Sequence, residues 1–294
     1  LPVLRVNAAP HGPCLHLTNG PLRPALMSAA RGTGPIIVMI HGYSYNPELP
    51  NHCPHRTLLR RDGAWLRQMG FGMGDPDEGL ALGFGWNARG PVWRAARAPR
   101  ASGAQLGRVL RILHHAAPHR PIHLMSHSMG AEVALAALHV LPCGAVTRML
   151  TMVPASYNST ADEALQTPAG RALEWINVAS RENALFDLMY ERLVTPPRRR
   201  DRVIGARLQA GNATTLRLDC PRTLDWLQRY GAQIAPPAAR ICHWSGYTRP
   251  GALGFYNRLL RDPARVPLSA LQAPLPTSRT RWRLPLPGWQ KAAT

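Results

Sequence analysis

The sequence predicts an α/β protein, a mainly parallel sheet carrying helices on both faces. Three observations point there. Short apolar runs recur at Ile36–Ile40, 80–84, 122–125, 149–153 and 175–178. Longer segments of helical periodicity lie between them, and two of the runs end in tight Gly- or Ser-containing turns, as strands feeding crossover helices do. With 294 residues, 45% of them hydrophobic and only 17% charged, the chain can bury a sizeable core and does not fit the composition of a disordered protein.

Each element has its own signal. The first 30 residues read as edge strands and turns, with strands at 3–6 and 15–18. Unbroken apolar runs such as Ile36–Ile40 suit strands buried on both faces. Residues 102–114 place Leu106, Val109, Leu110 and Leu113 on one helical face, whereas 131–141 is apolar nearly all round. The former reads as a surface helix and the latter as a buried one. Late helices are predicted at 223–230 and 253–260. Residues 154–170, between two strands, are too few for a lid domain. From 263 to 294 the chain holds six prolines, four arginines, one lysine and no acid. The reading is therefore a domain over 1–262 followed by a Pro/Arg-rich tail over 263–294.

The formal charge is +19, and Lys291 is the only lysine. Arg, Ala, Pro and Gly are enriched together, and the arginines are spread along the chain apart from Arg198, Arg199 and Arg200 and the tail around Arg279 to Arg283. Dispersed charge of this kind favours a compositional origin over a nucleic-acid footprint, so no nucleic-acid partner is expected. The Arg-rich tail suits at most weak contact with an anionic surface. Five widely spaced cysteines without a CxxC pair argue against a zinc site or a disulfide framework and fit a reducing, cytoplasmic compartment. The chain starts at Leu1, which leaves open that a leader has been removed. The longest apolar runs are far short of the ~20 residues that cross a bilayer.

Chemistry concentrates in Ser126-His127-Ser128-Met129-Gly130, set between the run at 122–125 and the helix that follows. A nucleophile at a strand-to-helix junction is pushed out of the sheet by a sharp turn, which requires small residues two before and two after it. Ser126 and Gly130 supply them, although Gly is the usual first residue. A polar helix cap is the competing reading of these five residues. The Met129 N–H, at the helix start, is aimed at a developing oxyanion. Upstream, Ile36–Ile40 runs into His41-Gly42-Tyr43-Ser44-Tyr45; Gly42 permits a sharp turn that frees the Tyr43 N–H to face the same crevice.

Taken together, PIIVMIHGYSYNP, LGFGWNARGPVW, PIHLMSHSMGAEVALAAL and, more weakly, ICHWSGYTRPG resemble the alpha/beta-hydrolase family, in particular bacterial members of unassigned substrate. The resemblance implies the alpha/beta-hydrolase fold with little or no lid, and a Ser, acid, His triad in that chain order with no metal or cofactor. Ser128 is then the nucleophile, and Tyr43 and Met129 provide the oxyanion hole. The base must follow both the serine and the acid, and of 12 histidines only His243 lies beyond residue 139. The acid belongs on the loop after the run at 175–178. Glu182 has the favoured spacing, and Asp187, a turn into the next helix, is the reserve. Tyr45 and Trp244 are candidates to bind the acyl part of the substrate.

The leading expectation is a serine-dependent carboxylic ester hydrolase, esterase- or lipase-like, acting on a small-molecule or lipid-like ester through an acyl-enzyme. The alternative is a non-catalytic protein of the same fold that holds an acidic partner, nucleic acid or an anionic membrane surface. Ser126 at the first elbow position and the doubtful acid motivate it. Oligomeric state and acyl length are not encoded legibly.

Overall fold

The computed structural model describes residues 3–60 and 62–272. The chain enters through β1 (Val3–Asn7), turns back through the short β2 (Cys14–Leu15) and passes along α1 (Leu22–Ala29) into β3 (Ile36–Ile40). Two 3₁₀ turns and α2 (Ala64–Gln68) lead to β4 (Leu80–Gly85); α3 (Val92–Ala95) and α4 (Pro99–Ala116) lead to β5 (Ile122–His127). Then come α5 (Gly130–Leu138), β6 (Arg148–Met152), α6 (Asn158–Leu165), α7 (Pro168–Ala172), β7 (Glu174–Ala179), α8 (Ala184–Leu193) and β8 (Ala213–Arg217). The last helices are α9 (Pro221–Gln228), α10 (Ser245–Thr248), α11 (Ala252–Arg261) and α12 (Leu268–Gln272).

The eight strands form one sheet in the order β2-β1-β4-β3-β5-β6-β7-β8. Every neighbouring pair is parallel except β1 with β2. The mainly parallel sheet and the helices on its two faces are those the sequence predicts, and the architecture is that of the alpha/beta-hydrolase fold.

Strand side chains alternate between two cores, as a period of two residues requires. Ile36, Val38 and Ile40 of β3 join one apolar cluster with Leu106, Val109, Leu110 and Leu113 of α4 and most of α5. Ile37 and Met39 join the other, with Trp65 of α2, Leu227 of α9 and Phe255 and Leu259 of α11. Because β3 and β5 lie at the centre, both faces are covered there, and the chain can leave the sheet only at the strand ends. The carboxyl ends of β3, β5 and β7 therefore converge on one edge.

The boundary expected at 262 shifts. Val266, Leu268 and Leu271 are buried in the second cluster. The Gln272 side chain donates to the carbonyls of Ala210, Gly211 and Ala213, so the packed unit continues to residue 272. Pro263 follows the end of α11 and Pro267 immediately precedes α12, so these prolines punctuate helices instead of imposing an extended segment. The rest of the expected tail, including Arg279 to Arg283, lies outside the described residues. No helix among the described residues is long and apolar enough to cross a membrane.

Candidate active site

The turn after β5 places Ser128 at φ 53°, the left-handed region that a non-glycine residue occupies only under constraint. Its N–H is tied to the Met152 carbonyl at 3.0 Å, and its carbonyl accepts from Ala131 N. The turn is also crowded from two sides. A Cβ at Gly42 would sit 2.8 Å from Ser128 Cβ, and a Cβ at Gly130 would sit 2.5 Å from the His41 carbonyl oxygen. Larger residues at either place would collide with backbone or with the Ser128 side chain, so both glycines are required by space. Ser126, at the first elbow position, is fully buried on β5, and its hydroxyl has no hydrogen-bond partner.

His243 arrives on the loop before α10. Ser128 Oγ–H donates to its Nε2 at 2.9 Å, and its Nδ1–H donates to Asn183 Oδ1 at 2.6 Å. Asn183 Nδ2 in turn donates to Asp187 Oδ1 at 2.7 Å. With the amide nitrogen donating to Asp187, the amide oxygen is left to accept from Nδ1–H, and the Nε2 lone pair faces the serine. Asp187, Asn183, His243 and Ser128 thus form one polarised line.

This arrangement corrects the acid expected from sequence. Neither carboxylate reaches the imidazole. Residues 181–183 form a 3₁₀ turn, capped by Ser180 Oγ, in which successive side chains diverge by about 120°. Asn183 consequently faces His243, while Glu182 turns inward. There its carboxylate is bound by the Arg249 guanidinium and by Ser180 Oγ–H. Glu182 and Arg249 are both buried. Asp187, in the first turn of α8, stands behind the amide as a relayed carboxylate. Sequence reasoning missed Asn183 because only carboxylates were sought; its place in the loop just after β7 was the one available signal.

The imidazole is largely withdrawn from water. Phe186 stacks on it with ring centroids 4.6 Å apart and an interplanar angle of 26°, and His127 packs at 4.7 Å on a tilt. Burial, with a smaller contribution from His127, lowers the His243 pKa to about 3. Burial raises Asp187 to about 7, opposed by the hydrogen bond from Asn183. The other two motif histidines are structural. His41 donates from Nδ1 to the Gly42 carbonyl at 2.8 Å and accepts at Nε2 from Trp86 N. His127 donates from Nε2 to the His243 carbonyl at 3.0 Å.

Ser128, His243, Asn183 and Asp187 open onto a cavity of about 540 Å³. Tyr43, Tyr45, Met129 and Trp244, all singled out from sequence, line it. So do Leu58, Val92, Met189, Tyr190 and Leu193, which sequence reasoning did not find; α8 brings the last three, forming one wall. The backbone N–H groups of Tyr43 and Met129 have no acceptor among the described residues. A predominantly apolar cleft with few polar groups gathered at one end is the usual form of a small-molecule site.

Residues 25–156 match the family described as "Alpha/beta hydrolase of unknown function (DUF900)". No curated protein matches the chain. Among solved structures, the chain is similar to TT1662 from Thermus thermophilus, with 14% identity, 64% of this chain and 80% of that one covered, and a TM-score of 0.35. An alpha-beta serine hydrolase homologue from Coxiella burnetii matches at 14% identity, covering 64% and 77%, with a TM-score of 0.34. The carboxylesterase CesB (YbfK) from Bacillus subtilis matches at 10% identity, covering 86% and 97%, with a TM-score of 0.30.

Proposed function

We propose that this chain, whose residues 25–156 match an alpha/beta-hydrolase family, is a serine-dependent hydrolase of carboxylic esters. One observation carries the reading. A serine held at φ 53° donates to an imidazole nitrogen 2.9 Å away, at the inner end of an apolar cavity. That is the geometry in which a hydroxyl loses its proton as it attacks.

In this mechanism Ser128 Oγ attacks the ester carbonyl carbon while its proton passes to His243 Nε2. The carbonyl oxygen, now negative, is met by the Tyr43 and Met129 N–H groups. The imidazolium returns the proton to the departing alkoxide, leaving an acyl-serine and a free alcohol. Water then repeats the sequence: it gives a proton to Nε2, adds to the acyl carbon, and the carboxylic acid leaves as Ser128 regains its proton. Asn183 holds the Nδ1–H tautomer throughout, and Asp187 holds Asn183.

The low pKa of His243 keeps the imidazole free to accept a proton across the whole neutral range, but it also makes it a weak base. A neutral amide stabilises the transient imidazolium less than an adjoining carboxylate does, so turnover is expected to be modest. The test is labelling with a fluorophosphonate probe together with hydrolysis of chromogenic esters of graded acyl length. Labelling that maps to Ser128 and disappears with Ser128→Ala supports the proposal. Absence of both labelling and ester turnover in folded protein overturns it.

A further inference from the structure

The cavity opens through a rim that is unusual for a water-facing surface. Trp93 and Trp244 are 55% and 53% exposed, and Tyr43, Met189, Leu193 and Ile241 are also exposed. Tyr43, Met189, Leu193 and Trp244 line the cavity itself. Trp93 follows the lining residue Val92 on α3, which packs against α8, and Ile241 shares the loop of Trp244. Isolated exposed hydrophobics need no explanation, but a set gathered around one opening does.

Arginine is interleaved with these residues. Trp93-Arg94, Arg192-Leu193 and Arg240-Ile241 are adjacent pairs, and Arg89 precedes the segment of Trp93. All four arginines are exposed, and none forms an ion pair among the described residues. Among the described residues the only carboxylate lining the cavity is Asp187, which is held by Asn183. Exposed tryptophans beside long cationic side chains match the polarity gradient of a bilayer surface. The rings sit at headgroup depth, while the guanidinium groups reach anionic phosphates, each contributing attraction on the order of 1 kcal/mol.

We infer that the cavity rim seats the protein on an anionic lipid bilayer, so that an acyl ester passes from the lipid layer into the cavity without crossing water. The inference deepens the hydrolase reading, on which it rests for the fate of the ester but not for the binding. The charge of the chain, +19 overall, points the same way by steering it to such a surface.

The experiment is co-sedimentation of the full chain, carrying Ser128→Ala so that no lipid is consumed, with vesicles of mixed phosphatidylglycerol and phosphatidylcholine. Vesicles of phosphatidylcholine alone are the control. Binding to the mixed vesicles is expected to be about tenfold tighter and to weaken with salt. In the same background, Trp93→Ser with Ile241→Ser, and separately Arg89→Glu with Arg94→Glu, are each expected to reduce binding about tenfold. Both pairs leave the tail arginines in place, so a loss is assigned to the rim. None of the four residues lines the cavity, and hydrolysis of short water-soluble esters by the corresponding Ser128-containing proteins is expected to stay unchanged.

Equal binding to both kinds of vesicle, or undiminished binding by both variant pairs, overturns the inference. So does a solution dimer that these substitutions dissociate, which would make the rim an interface between copies. Vesicle binding without turnover of any ester by wild type would remove the hydrolase reading and leave the docking surface standing. Turnover of soluble esters without vesicle binding would do the reverse.

Discussion

Asn183 Oδ1 lies 2.6 Å from His243 Nδ1, so an amide occupies the place where a triad has its carboxylate. Replacement by Ala removes the only acceptor of Nδ1–H among the described residues and frees the ring to turn. The expected result is a fall in ester kcat of ten- to a thousandfold with little change in KM. Asn183→Asp places a negative charge beside the imidazole and raises its pKa, and is expected to bring the acidic limb of the kcat profile up toward the ordinary histidine range, where the protein is still folded, with a higher plateau. Identical pH profiles for wild type and Asn183→Asp would remove Asn183 from the relay.

Asp187 carries a stability consequence. Its folded pKa of about 7 exceeds the ordinary aspartate value. Between about pH 4 and 7 the folded state therefore holds a proton that the unfolded chain releases, and stability falls as pH rises through that window. Asp187→Asn removes the penalty while keeping an oxygen to accept from Asn183. Thermal melts are expected to show a gain of about 5–10 °C at pH 8 and none at pH 4. Ester turnover at pH 8 is expected to drop, because the relay loses its charge. A melting gain that is the same at both pH values would show that Asp187 does not titrate as described.

Glu182 and Arg249 are expected to matter for folding and not for proton transfer. Arg249→Met strands a buried carboxylate, at a cost of about 3–5 kcal/mol, or roughly 10 °C in melting temperature. Glu182→Gln keeps a hydrogen-bonding side chain and is expected to lower Tm less. Activity in both should follow the folded fraction. If Glu182→Gln lost turnover at full stability, the carboxylate would have to be returned to the chemistry.

Five histidines, at 41, 55, 123, 127 and 243, have pKa values lowered by burial to between about 2 and 4. The unfolded chain binds protons at these positions from about pH 6.5 downward, while the folded chain does not. Each group then removes about 1.4 kcal/mol of stability per pH unit until its folded pKa is reached. For a domain whose total stability is about 5–15 kcal/mol, unfolding is expected near pH 5. His123 has no hydrogen bond to lose on replacement, since both of its ring nitrogens are buried without partners among the described residues. His123→Leu is expected to shift the acid midpoint downward, as followed by circular dichroism. An unfolding curve that is flat down to pH 3 would exclude this account.

The central strands were legible because a parallel strand buried on both faces must be apolar throughout, as Ile36–Ile40 is. β8 was not, because its buried threonines look like loop residues. Thr215 Oγ1 donates to the Leu208 carbonyl and accepts from Asn177 Nδ2, bonds that no local pattern announces. At the site, Ser128 and His243 could be read from motif and chain order, and the structure sets them within hydrogen-bonding distance. The partner of His243 could not, because a single 3₁₀ turn decides which of two adjacent residues, Glu182 or Asn183, faces the ring. The wall supplied by α8 was hidden for a related reason: Met189, Tyr190 and Leu193 take their role from where the helix lies over the cavity.

His127 sits beside Ser128 and fastens the backbone of His243 through its Nε2–H. The elbow and the loop that serves it are therefore mechanically one piece, although 115 positions separate Ser128 from His243. A spectroscopic label on either segment will report on the other. Any attempt to graft this centre onto a different scaffold must carry both segments, with the clasp between them, as a unit.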